Sequence, residues 1–212
     1  MTTKTYEGDK IDVTFDGKKC IHSRACVLNL PQVFRADTRG GWIHPNAAEA
    51  EDIAAVARIC PSGAITYKRK DGKPDEAPPE VNTIHVREDG PYAVHADIRI
   101  RGEGAGARAT LCRCGESQNK PYCDGAHVKT AFVATGEPAT KSSEPLAQRG
   151  GALDVTPMKD GPLKIAGNLE ICCGSGRTVT RTKQTFLCRC GHSQNKPFCD
   201  GSHQAAGFRA SD

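Results

Sequence analysis

The chain has 212 residues, a formal net charge of +4, 37% hydrophobic and 5% aromatic residues, and 11 cysteines. The hydrophobic share is below the ~45–50% usual for globular domains, which argues against one large apolar core and for metal as part of what holds the chain together. The charge is modest and forms no dense basic block, so nucleic acid is not an expected partner.

The first ten residues, MTTKTYEGDK, are polar, and no apolar run approaches the ~18–20 residues a membrane span needs. A cytoplasmic protein with no membrane contact is expected, with its cysteines reduced rather than paired. IDVTF (11–15) and AITY (64–67) read as strands. PNAAEAEDIAAVARIC (45–60) reads as a helix, with Asn46 as N-cap and Glu49 three residues later. Ile53, Val56 and Cys60 would share one face.

Three cysteines lie in this region. A bacterial ferredoxin cluster uses Cys-x2-Cys-x2-Cys and a distant Cys-Pro. Here Cys20 and Cys26 take the outer positions, Ser23 the middle one, and Cys60-Pro61 the distant one. Three thiolates suit a [3Fe–4S] cluster. They also suit [4Fe–4S] if Ser23 or the adjacent His22 ligates the fourth iron. Residues 10–68 resemble the divergent single-cluster ferredoxin-like domains, in which Cys-x-His-x3-Cys is paired with Cys-Pro-Ser-Gly-Ala.

DGKPDEAPPE (71–80) and the stretch 134–151 read as linkers, being rich in Pro, Gly and charge. They divide the chain into modules 1–72, 78–140 and 150–212. The second and third modules are repeats. LCRCGESQNKPYCDGAH (111–127) and LCRCGHSQNKPFCDGSH (187–203) are identical at 14 of 17 positions. DGPYAVHADI (89–98) and DGPLKIAGNL (160–169) precede them as turn and strand. Cys172 and Cys173 have no counterpart in the first repeat, and one buried and one exposed side chain is expected. Gly102, Gly104 and Gly106 form a Gly-rich loop outside the strand–turn–helix setting of a nucleotide site.

Each repeat supplies three cysteines and a histidine at matching offsets: Cys112, Cys114, Cys123 and His127, then Cys188, Cys190, Cys199 and His203. Such a set holds either tetrahedral zinc or a [2Fe–2S] cluster, and the spacing leaves both open. Asp124 and Asp200 stand where they can cap a helix carrying the histidine. Ser117 and Ser193 can bond cluster sulfurs or turn backbone.

The pattern Cys-x-Cys-x2-Ser-x3-Pro-x-Cys-Asp-Gly-Ser/Ala-His resembles the signature of the CDGSH, mitoNEET-type iron–sulfur proteins, and is complete in both repeats. The resemblance implies one [2Fe–2S] cluster per knuckle, on three Cys and one His. Two motifs in one chain resemble the tandem branch, whose halves pair within a monomer. The expected fold is therefore α+β: a small ferredoxin-like α/β module, then two β-rich modules paired about a pseudo-twofold axis.

No catalytic constellation stands out, so no enzyme is expected. Three iron–sulfur centres point to electron transfer, with a redox or cluster-acceptor protein as partner. Cluster storage or transfer, redox sensing, and a zinc-bound structural adaptor are the alternatives. Matching ligand sets predict similar potentials for the two knuckle clusters.

Overall fold

A computed structural model of the chain describes residues 3–35 and 41–210. One compact unit ends at Ala77 and a second begins at Pro78, inside the stretch 71–80. The architecture is mixed α and β, with mostly strands and few, short helices. Among the described residues no helix is long and apolar enough to cross a membrane.

In the first unit, β1 (Thr3–Tyr6), β2 (Ile11–Asp16) and β3 (Ile65–Arg69) form an antiparallel sheet in that order. Alternation puts Ile11 and Val13 of β2, and Ile65 and Tyr67 of β3, into a core with α2 (Ala50–Arg58). α2 contributes Ile53, Ala54, Val56 and Ala57, one helical stripe. Cys60 follows the helix and is buried in the same cluster. The helix starts later than the pattern predicts. A 3-10 turn, Pro45–Ala47, precedes it, and Glu49 is the N-cap. Asn46 does not cap because its Oδ1 accepts the Asp9 N–H at 2.8 Å, tying down the β1–β2 turn instead. A five-residue helix, α1 (Ala25–Asn29), carries Cys26.

The second unit is a six-stranded sheet of β4 (Thr83–Val86), β5 (Tyr92–Ile100), β6 (Glu103–Leu111), β7 (Ala152–Pro157), β8 (Leu163–Cys172) and β9 (Thr178–Leu187). Within each repeat the strands run antiparallel, β4–β5–β6 and β7–β8–β9. Between repeats they run parallel, β4 with β8 and β5 with β7. The repeats thus exchange neighbours reciprocally. Val94, Ala96 and Ile98 of β5 share one core with Leu153, Val155, Ile165, Leu169 and Ile171. Neither repeat buries its strands alone.

Residues 134–151 are not a free spacer. The Lys141 N–H donates to the Val179 carbonyl, the Arg181 N–H to Ser143 Oγ, and the Asn82 N–H to the Arg149 carbonyl. β9 is an edge strand, and this strap satisfies its outward groups. Proline and glycine bar the strap from a regular strand without barring it from packing. Cys172 and Cys173 are both buried, so the expected exposure of one is wrong. Cys173 lies in the sheet core with its sulfur 3.1 Å from Ser175 Oγ. Cys172 lies among Glu170, Thr178 and Arg181.

Candidate metal centres

Each knuckle begins where a strand ends. β6 stops at Leu111 and β9 at Leu187, directly before the Cys-Arg-Cys runs. Each knuckle ends in one helical turn, α3 (Ala126–Lys129) with His127 and α4 (Ser202–Ala205) with His203. Gly125 and Gly201 open these turns at φ +87° and +89°, with open space where a β-carbon would go. Their glycine is required by the left-handed backbone rather than by a close approach. Asp124 accepts the Ala126 N–H at 3.0 Å and the Gln118 N–H at 2.8 Å, so one carboxylate ties both ends of the loop. Asp200 does the same with Ser202 and Gln194. Ser117 Oγ donates to the Tyr122 carbonyl and accepts the Asn119 N–H. Ser193 matches it, so both hydroxyls bind turn backbone.

The donors fall into pairs. Cys112 and Cys114 sulfurs are 3.8 Å apart, and Cys123 Sγ is 3.4 Å from His127 Nδ1. In the second repeat the distances are 3.6 Å for Cys188–Cys190 and 3.5 Å for Cys199–His203. Two thiolates on one tetrahedral ion at ~2.3 Å stand about 3.8 Å apart, and a thiolate and an imidazole about 3.5 Å. Each pair thus has the spacing of two ligands on one ion. Among the described residues no group of three or more His, Cys, Asp or Glu side chains forms a single-ion site.

Backbone amides converge on the sulfurs. The N–H groups of Glu116 and His192 point at Cys114 and Cys190 at 3.5 Å, and those of Gly125 and Gly201 at Cys123 and Cys199 at 3.4 Å. The thiol of Cys114, with the amides of Ser117 and Gly115, lowers the pKa of Cys112. Cys190, with the amides of Ser193 and Gly191, lowers that of Cys188. Cys114 and Cys190 are raised by the same hydrogen bonds between the paired thiols. Burial raises Cys123 to about 11, and burial lowers His127. Backbone amides aimed at the sulfurs, and one thiol of each Cys-x-Cys pair lowered, suit a metal–sulfur group.

In the first unit Cys20, Cys26 and Cys60 line one cavity of about 550 Å³, with His22, Ser23, Phe15 and Trp42 in the same wall. His22 and Arg24 have φ of 55° and 62°, which curls the loop between the first two cysteines. The His22 N–H faces the Cys20 sulfur and the Val27 N–H the Cys26 sulfur, as in backbone concavities that hold anions. Burial raises both thiols, and the nearby Cys60 adds to this. The cavity and its three thiols fit an iron–sulfur cluster.

Residues 89–128 and 160–204 match the family described as iron-binding zinc finger, CDGSH type. The chain is 37% identical over 87 residues to mouse CDGSH iron-sulfur domain-containing protein 1, covering 77% of that protein and 40% of this chain. The rat protein of the same name is 38% identical over 92 residues, 82% of its length and 42% of this chain. The chain belongs to the CDGSH iron–sulfur family. This CDGSH protein carries a further domain: residues 6–70 match a family described as divergent 4Fe-4S mono-cluster. The chain is also 37% identical over 67 residues to the uncharacterized protein YjdI of Escherichia coli K12, covering 87% of that protein and 32% of this chain.

The CDGSH signature conceals three groups that sequence reasoning passed over. Arg113 and Arg189, inside the Cys-Arg-Cys runs, are each 1% exposed. Arg113 donates to the carbonyls of Arg87 and Thr135, and Arg189 to those of Gly161 and Met158. Gly115 and Gly191 each meet the other knuckle's backbone. Tyr92 spans from the first repeat to the second knuckle. Exact recurrence of Cys-Arg-Cys-Gly was the available signal for the first two.

Proposed function

We propose that this CDGSH protein is a non-enzymatic electron carrier with two [2Fe–2S] clusters and one [4Fe–4S] or [3Fe–4S] cluster. Cys112, Cys114, Cys123 and His127 hold the first, and Cys188, Cys190, Cys199 and His203 the second. Cys20, Cys26 and Cys60 hold the third, with His22 or Ser23 as candidates for a fourth ligand. The donor pairing supports two irons per knuckle over one zinc: each pair spans one ion, and the pairs do not close around a shared point. When bound, each cluster takes up and gives back one electron. The chain's part is to hold the irons, to direct amide N–H groups at the sulfurs, and to exclude water from them.

The observation that carries the electron-transfer reading is the contact between knuckles. A β-carbon on Gly115 would lie 2.6 Å from the Cys190 carbonyl oxygen, and one on Gly191 would lie 2.5 Å from that of Cys114. Two redox centres joined through touching backbone exchange electrons readily, because tunnelling weakens steeply with distance. The reciprocal strand exchange supports a monomer with a pseudo-twofold axis between the repeats. A cytoplasmic redox protein completes the reading as partner.

Anaerobically purified protein should show [2Fe–2S] absorption and, after dithionite, the EPR of reduced clusters, with about seven or eight irons per chain. Repeated reduction and reoxidation should leave that iron count unchanged. Stoichiometric zinc without visible absorption overturns the cluster reading. Rapid loss of iron to an apo-ferredoxin, in place of stable cycling, favours cluster delivery over electron transfer.

A further inference from the structure

The two knuckles have matching donors, yet the fold surrounds them differently. Tyr92, on β5 of the first repeat, is 0% exposed. It crosses to the second knuckle, where its hydroxyl points its one proton at the carbonyl oxygens of Cys188 at 2.8 Å and Pro197 at 2.9 Å. Its counterpart is Leu163. Both follow Asp-Gly-Pro, and each opens a strand opposite the leucine before a Cys-x-Cys: Tyr92 pairs with Leu111, and Leu163 with Leu187. Leu163 has nothing to donate. The second knuckle therefore receives a side-chain hydrogen bond that Leu163 cannot return to the first.

Two other differences act in the same direction. Glu116, an exposed carboxylate, has its amide on the Cys114 sulfur, where His192 stands against Cys190 in the second knuckle. Cys123 is buried, whereas Cys199 is partly exposed. Reduction adds negative charge to a cluster. A nearby donor dipole and solvent exposure favour that charge, and a nearby carboxylate opposes it.

We infer that, of the two knuckle clusters, the one on Cys188, Cys190, Cys199 and His203 has the higher potential and is reduced first, with Tyr92 as the positioning residue that separates it from the first-repeat cluster. The inference rests on the reading that each knuckle holds a [2Fe–2S] cluster. It refines the similar potentials that matching ligand sets predict. The hydroxyl acts through the Cys188 carbonyl and touches no donor sulfur.

The test is an EPR-monitored redox titration of the holoprotein with dithionite. His127→Cys and His203→Cys, singly, mark which [2Fe–2S] signal belongs to which repeat. The parent's two [2Fe–2S] signals should appear in separate one-electron steps, distinct from the signal of the first unit's cluster, the more positive of the two from the second repeat. Tyr92→Phe keeps the ring and removes the hydroxyl, and should move only that step downward, narrowing the separation. Glu116→Gln, at an exposed position, should move only the less positive step upward. A purely structural Tyr92 would, on substitution, lower stability and iron content and leave the separation as it was. That result, or a parent in which both clusters titrate together, overturns the inference. Protein with no [2Fe–2S] absorption instead overturns the cluster reading, and this inference falls with it.

Discussion

Gly115 of the first knuckle is pressed against Cys190 of the second, so closely that a β-carbon would lie 2.6 Å from the cysteine's carbonyl oxygen and 3.3 Å from its Cα. Gly115 also has φ +91°. Gly115→Ala therefore meets both backbone strain and a backbone clash that no side-chain rotation relieves. Gly102 has φ +84° with nothing within 4 Å. Gly102→Ala should cost about 1 kcal/mol, from conformation alone. Gly115→Ala should cost roughly 3 kcal/mol or more. Denaturant unfolding of both variants checks the order, and equal losses would remove the inter-knuckle contact as the cause.

Arg113 is the second target. Its two terminal nitrogens each donate at 2.6 Å, to the carbonyls of Arg87 and Thr135. Arg113→Met takes the donor from the Thr135 carbonyl, leaves the Arg87 carbonyl only the Gly90 N–H at 3.3 Å, and should destabilise the second unit by about 2–3 kcal/mol. Arg113→Lys should not rescue it, because one ammonium lacks the planar fork that reaches both carbonyls. Thermal melts of the two variants side by side decide this.

On the proposed ligand set, His127→Cys exchanges a neutral imidazole for a thiolate. The added negative charge should lower the first cluster's midpoint potential. Imidazole is lost by protonation in mild acid, so the variant cluster should also survive acid longer. In the parent, the reduced and more negative cluster favours a proton on the remote ring nitrogen. The potential should therefore fall as pH rises, and the variant should lose that slope. Voltammetry against pH reads all of this, and an unchanged slope and potential would remove His127 as a ligand.

Glu170 supplies a pH test away from the clusters. Its carboxylate accepts from Arg149 Nε at 2.6 Å and lies 3.5 Å from Arg181. The Arg149 bond comes first among the causes that hold its pKa below the ordinary glutamate value. A depressed pKa adds stability that is present above the unfolded value, ~4.3, and is lost as pH falls through the folded one. Glu170→Gln should cost about 1–2 kcal/mol near pH 7, between the ranges for exposed and buried pairs because Arg149 is half-exposed. The difference from the parent should shrink below about pH 4. A difference that stays constant down to pH 3 would show that the pair carries no pH-linked stability.

The knuckles were legible in the chain because their information is local. Cys-x-Cys, the proline, Cys-Asp-Gly and the histidine span 16 residues from Cys112 to His127, and their turns follow from residue types at short range. The same holds for the strand alternation of Val94, Ala96 and Ile98, and for the Cys60-Pro61 run. Asn46 misled because its side chain was claimed by Asp9, 37 residues away. The stretch 134–151 misled because composition reports regularity, not what an edge strand needs covered. The parallel pairing of β4 with β8 joins residues some 87 positions apart, as Thr83 opposite Glu170 shows, and no periodicity encodes which of two similar hairpins a strand will choose. The inequivalence of two nearly identical knuckles has the same origin. Tyr92 carries a hydroxyl that Leu163 lacks, and burying Tyr92 against Cys188, 96 residues on, gives the second knuckle a hydrogen bond that no local pattern announces.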